Sequence, residues 1–215
     1  MFDFNIPDLT DEQNNYRIEF ENTFAAQYVL NDRAHRVEHF REVLDTGLVI
    51  AERVGFNLNE GEQLALVAAA YLHDLFAWSR PNHHLLSKEF VMGSEHPMLQ
   101  RLTDIDINLP ALVANACDEH RASYKGVFSS KFSELVNSSD RGLPTNPKVL
   151  LERAIQYRTA YSSSESRDVI IAESKKHIFD KFGTKGYARY PDMYRDAFGT
   201  ELDIQQRYVD YLFSY

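Results

Sequence analysis

The sequence predicts an all-α fold: a single helical bundle with additional helices toward its C-terminal end. Apolar residues recur at helical spacing along most of the chain, as in Val37, Phe40, Val43, Leu44, Leu48 and Ala51. Helix start and stop signals fall where those patterns begin and end. No stretch of any length alternates apolar and polar residues as a half-buried strand would. With 215 residues and 44% hydrophobic content, one domain with a sizeable core is expected over residues 1–215, and 12 Tyr and 14 Phe can fill it.

Taken in order, Thr10-Asp11-Glu12-Gln13 is a capping box that opens a first helix carrying Ile18, Phe24 and Tyr28. A second helix runs from about Arg33 to Arg53 and stops at Gly55. Asn59 with Glu62 starts a third, whose apolar run Leu64–Leu72 ends in His73-Asp74. The polar stretch Ser79–His84 reads as a loop, with His83-His84 exposed to solvent. Short helices follow over Ser87–Met92, Pro97–Leu102 and Pro110–His120. A loop over Arg121–Ser130 leads to a short helix, Lys131–Val136, that delivers Asp140. After Pro144 and Pro147 come helices over Lys148–Ala160 and Glu165–Phe182, joined at Ser162-Ser163-Ser164, and a last helix over Ile204–Phe213. No repeat, low-complexity tract or linker divides the chain.

Composition narrows the function. A net charge of −9 argues against a general nucleic-acid coat, which needs a basic face; a local basic pocket for a small phosphorylated ligand stays allowed. The single cysteine, Cys117, excludes an intrachain disulfide and a zinc–cysteine cluster. The N-terminus lacks the basic-then-apolar pattern of a signal peptide, and no apolar run approaches the roughly 18 residues of a membrane span. A cytoplasmic protein is expected, with no membrane partner.

His73-Asp74 is the feature that carries chemistry. Adjacent helical residues point about 100° apart, so the two cannot share one buried stripe, yet both can lean toward one ion at a helix edge. Desolvating them is costly unless something pairs with them, and a divalent cation would do so. His35 and His39, spaced i, i+4, lie on one face of the second expected helix, a spacing that can serve one metal or place an exposed His35 beside a half-buried His39.

The ordered set of His39 in Ala34-His35-Arg36-Val37-Glu38-His39-Phe40-Arg41-Glu42-Val43, Leu72-His73-Asp74 closing an Ala-rich helix, and Asp140 in Ser139-Asp140-Arg141 resembles the HD-domain superfamily of metal-dependent phosphohydrolases. The likeness covers about residues 30–145, leaving 146–215 as a C-terminal helical extension packed on that core. It implies a bundle of the HD-domain type whose metal ligands are His39, His73, Asp74 and Asp140. It also implies hydrolysis of a phosphoester or phosphoanhydride bond. Glu95-His96-Pro97 is similar to the Glu-His-Pro of members holding two metals, and Asp118–Gly126 to a segment of theirs that begins with paired histidines. Here the chain departs from the pattern, with Glu119 where the first His would stand, no Gly-Tyr-Pro ending, and Leu75-Phe76-Ala77-Trp78 in place of the Glu that follows the pair in nucleotide-cleaving members.

Imidazole nitrogen with carboxylate oxygen suits borderline and hard divalent ions: Mn, Fe, Mg, Co, Ni or Zn. The expected catalytic groups are Asp74, which holds a metal, and His96 and His120, which hold a second ion or donate to phosphate. The bland alternatives are His96 as an N-terminal cap before Pro97 and His120 as a cation at a helix C-terminus. Arg80, Lys125 and Arg141 are the candidates for holding substrate phosphate, against the alternative of solvated surface charges. Lys181–Arg189, basic with glycines and Tyr187, reads as a turn between helices or as a segment closing over a base. The expected partner is a small phosphorylated substrate, most simply a nucleotide. The competing class is a non-catalytic protein whose metal organises the fold for binding or regulation.

Overall fold

A computed structural model describes residues 2–161 and 164–214. Ser162 and Ser163 of the expected helix junction lie outside the described residues. Among the described residues, eleven α-helices and one 3-10 turn account for the regular structure, and there is no strand. The chain gathers into two compact units. One gathers Asn5–Leu143 with Pro191–Ala197; the other gathers Met1–Phe4, Pro144–Tyr190 and Phe198–Tyr215. No helix among the described residues is long and apolar enough to cross a membrane.

The larger unit is built around α4 (Glu60–Leu72), which is buried without interruption from Leu64 to Leu72. Asn59 and Glu62 close a capping box at its start. Such a helix, apolar all round, must be covered on every side. It packs against α1 (Asp11–Thr23), α3 (Val37–Val54), α6 (Pro97–Ile105), α7 (Leu109–Glu119) and α8 (Lys131–Ser139). α5 (His83–Gly93) lies against α7. Aromatic side chains fill the space between α1, α3 and α4: Tyr16, Phe20, Phe40 and Tyr71 are fully buried. Residues of the Pro191–Ala197 stretch are tied to α8 and its exit: Met193 N donates to Glu134 Oε1 (2.9 Å) and the Tyr194 hydroxyl to Gly142 O (2.9 Å).

Several boundaries differ from expectation. The first helix does not run through to Tyr28; it breaks at Phe24 into α1 and the short α2 (Ala25–Leu30). The second expected helix begins late, because Asp32 caps a separate 3-10 turn, Arg33–His35, so His35 and His39 do not share one helix. α5 starts at His83 rather than Ser87, with His83, Ser87 and Val91 on one buried stripe. Gly55 stops α3 in the left-handed conformation, φ 67°, that favours glycine.

One close approach fixes the spacing of three helices. A Cβ added at Gly47 of α3 would stand 2.9 Å from Ser139 Oγ on α8 and 3.2 Å from Leu66 Cδ1 on α4. Ser139 is fully buried and its hydroxyl donates to Leu135 O (2.7 Å), so it has little freedom to retreat.

In the smaller unit α9 (Pro147–Tyr161) packs on α10 (Arg167–Phe182), and Ile178, Val209 and Phe213 form a core with Leu150, Leu151 and Ala154 around it. α11 (Asp192–Phe213), longer than the expected Ile204–Phe213, has non-helical backbone at Phe198, where the chain passes from one unit to the other. The Lys181–Arg189 segment is a turn fastened by backbone bonds and by the Asp210 carboxylate. Tyr187 N donates to Asp180 O (3.1 Å), Ala188 N to Lys181 O (3.0 Å), and Thr184 N to Asp210 Oδ1 (3.2 Å).

Candidate metal centre

Helix ends of the larger unit bring the site together. His73 is the C-cap of α4, with Asp74 next; Asp140 is the C-cap of α8 and His120 that of α7. His39 lies in the first turn of α3, and His83 is the first residue of α5. The C-terminal ends of α4, α7 and α8 carry partial negative charge, which favours a cation between them.

Two groups of donors result, and Asp74 belongs to both. Donor atoms of His39, His73, Asp74 and Asp140 all lie within 4.8 Å of one another, as do those of Asp74, His83 and His120. The two carboxylate oxygens divide the work. Asp74 Oδ2 is 3.5 Å from His73 Nε2 and 3.9 Å from His39 Nε2. Asp74 Oδ1 is 3.1 Å from His83 Nε2 and 3.4 Å from His120 Nε2. Asp140 Oδ1 completes the first group, 3.3 Å from His39 Nε2 and 3.7 Å from His73 Nε2.

The tautomers are set from behind. His73 Nδ1 faces Ala70 O at 3.0 Å and His120 Nδ1 faces Cys117 O at 2.6 Å. A carbonyl can only accept, so each Nδ1 carries a hydrogen; in the neutral ring Nε2 then presents its lone pair to the cluster, the arrangement a metal-ligating histidine requires. His39 Nε2, His73 Nε2 and Asp74 Oδ1 are all buried and make no hydrogen bond. Leaving such atoms unpaired is costly.

The electrostatics divide the four histidines into two pairs. Burial pushes His73 down to about 4, only partly opposed by Asp74, and pushes His83 down to about 4 as well. Both are therefore neutral donors near pH 7. Burial also disfavours the charged forms of His39 and His120, but the Asp140 carboxylate raises the pKa of the first and Asp74 that of the second. Burial alone would raise Asp74 and Asp140, yet the surrounding histidines, with Arg141 beside Asp140, hold both below the usual carboxylate range. A divalent ion fits this donor set. Bonds of about 2.0–2.4 Å need donors no more than about 4–5 Å apart, of mixed imidazole and carboxylate type, without competing hydrogen bonds.

Of the residues singled out from sequence, His39, His73, Asp74, Asp140 and His120 are brought together, and His96 is not. His96 is the N-cap of α6: its Nδ1 accepts from Met98 N (3.3 Å) and its ring packs 5.4 Å from that of Phe24. The histidine that joins His120 is instead His83, 4% exposed rather than the solvent-facing loop residue expected. Its signal is the i, i+4, i+8 spacing of His83, Ser87 and Val91, which marks an amphipathic helix starting four residues earlier than expected. Glu119 is in neither donor group, and its carboxylate accepts from Ser129 N (3.0 Å).

The three candidate phosphate holders differ. Arg141 is spent on the protein: its Nη2 donates to His120 O (3.1 Å) and Asn137 Oδ1 (2.8 Å), joining the ends of α7 and α8. Lys125 is exposed in the loop between those helices. Arg80 stands at the rim, its Nη2 2.6 Å from His35 Nε2, and His35 Nε2 is 3.7 Å from Asp74 Oδ2. Comparison with known proteins finds no matching family model, no matching curated protein and no matching solved structure.

Proposed function

We propose that this chain is a metal-dependent phosphohydrolase that cleaves a phosphoester or phosphoanhydride bond in a small phosphorylated substrate, most simply a nucleotide. The observation that carries the reading is the Asp74 carboxylate, with one oxygen turned to each of two donor groups, among buried histidine nitrogens that hydrogen-bond to nothing. His39, His73, Asp74 and Asp140 would hold one divalent ion; Asp74, His83 and His120 would hold a second. A bound ion supplies an activated water and polarises a phosphoryl oxygen. The chain's own residues do the rest. Ala70 O and Cys117 O fix the rings of His73 and His120, and Asp74 sets the distance between the two groups. Arg80, with an exposed guanidinium on the His35 side of the site, would receive phosphate oxygens.

The test is metal analysis of the purified protein combined with a screen of phosphorylated metabolites under Mn, Fe, Mg, Co, Ni and Zn. Ion-dependent release of phosphate or pyrophosphate from at least one nucleotide is expected. A metal-loaded protein inert toward the whole panel would overturn the catalytic reading.

A further inference from the structure

The site has a second support that touches none of its donor atoms. Asn31 is 2% exposed and follows α2, at the point where the chain turns into the Arg33–His35 segment. Its amide makes three hydrogen bonds to three different pieces of backbone. Nδ2 donates to Asp74 O (2.9 Å) and to His35 O (3.0 Å), and Oδ1 accepts from Trp78 N (3.0 Å). These three groups surround the turn that leaves α4. Asp74 O also accepts from Ala77 N (3.0 Å), so Asn31 grips that turn at both ends.

A neighbouring bond runs in parallel. The Tyr28 hydroxyl donates to Tyr71 O at 3.1 Å, and Tyr28–Tyr71 and Asn31–Asp74 are both 43 residues apart in sequence. Tyr28 fastens α2 to the body of α4; Asn31, three residues on, fastens the chain to the residue that both donor groups share.

We infer that Asn31 is a positioning residue for the metal centre: it fixes the backbone of Asp74, and through it the direction of the two carboxylate oxygens, while anchoring His35 and Trp78 at the rim. The amide is suited to this in a way that a carboxylate or a hydroxyl is not. Two carbonyls must be bound by donors and one N–H by an acceptor, and Asn offers both from one planar group. The inference rests on the metal reading given above. It adds that ligand geometry depends on a side chain outside the donor set, as is general for metal sites whose outer partners orient the ligands.

Asn31→Asp is the sharpest variant, since it keeps the shape and the acceptor for Trp78 N but turns lone pairs toward the Asp74 and His35 carbonyls. Wild-type, Asn31→Asp and Tyr28→Phe proteins are titrated with Co2+ alone, followed by visible absorption, with melting temperature recorded in parallel. Co2+ affinity is expected to fall about 10- to 100-fold in Asn31→Asp, with altered ligand-field bands. Tyr28→Phe is expected to lower the melting temperature while leaving affinity and bands unchanged. Where Asn31→Asp does not fold, Asn31→Ala removes the same two donations without adding charge and is expected to show the same loss. Wild-type protein that takes up no Co2+ would overturn the metal reading itself. Wild-type uptake with unchanged affinity and bands in the Asn31 variants would overturn this inference alone. Equal weakening in Tyr28→Phe would reduce the effect to general destabilisation and also overturn it.

Discussion

Helices α3 and α4 each contribute to two polar clusters, and the two clusters behave in opposite ways. Two residues past His39, Arg41 turns to another side of α3; two residues before His73, Tyr71 turns to another side of α4. There they meet Glu21, which accepts from Arg17 Nη1 (2.7 Å), Arg41 Nε (2.8 Å) and the Tyr71 hydroxyl (2.6 Å). One carboxylate and its donors satisfy each other. Across the two donor groups four histidines face two carboxylates, yet His39 Nε2, His73 Nε2 and Asp74 Oδ1 are buried without a hydrogen bond. The difference separates a structural network from a candidate ligand site. Polar groups that complete one another belong to the fold, while polar groups that are buried, converging and incomplete mark the place to look for a bound ion.

The comparison breaks most visibly at Asp74. Asp74→Ala removes the residue common to both donor groups, and turnover of whatever phosphate substrate the wild type accepts should fall by about three orders of magnitude or more. The helical circular-dichroism signal should persist. A variant that hydrolyses at near wild-type rate would remove Asp74 from the chemistry.

The Glu21 cluster should answer in stability and not in metal uptake. Glu21→Gln should cost about 1–3 kcal/mol at neutral pH, measured by urea unfolding, and leave divalent-ion affinity unchanged. Burial opposes the charge of Glu21, but Arg41, Tyr71 and Arg17 together hold its pKa down to about 2. A depressed carboxylate stabilises the fold fully above its ordinary range. Its contribution should therefore be lost as pH falls from about 4.5 to about 2, and the stabilities of wild type and Glu21→Gln should converge across that window.

His96→Ser should have the smallest effect. Serine caps a helix at least as well as the imidazole that now accepts from Met98 N, so stability should move by less than about 0.5 kcal/mol and Co2+ affinity not at all. A tenfold loss of affinity would return His96 to the site.

These residues also show what the sequence could convey. The helices were legible because periodicity, the capping boxes at Thr10 and Asn59 and the stop at Gly55 are local signals. The first donor group was legible through the order of His39, His73-Asp74 and Asp140. The partner of His120 was not: choosing between His83 and His96 needs to know which helix start faces α4's end, and that is a property of packing. Both are histidines beginning a helix; one caps its own backbone and the other reaches across to Asp74. The role of Asn31 was illegible for the same reason, since two of the three partners of its amide, Asp74 and Trp78, lie 43 and 47 residues away.

The contact at Gly47 gives the site a mechanical tolerance. Gly47 and Leu66 lie about two helical turns from His39 and His73, and Ser139 is next to Asp140. Helices are stiff rods over that length, so the thickness of material at this crossing is transmitted along α3, α4 and α8 to the donor atoms beyond. The missing side chain acts as a shim of zero thickness. A single methyl there would wedge the rods apart and widen the gap between His39 and Asp140, detuning the cluster without altering any donor atom.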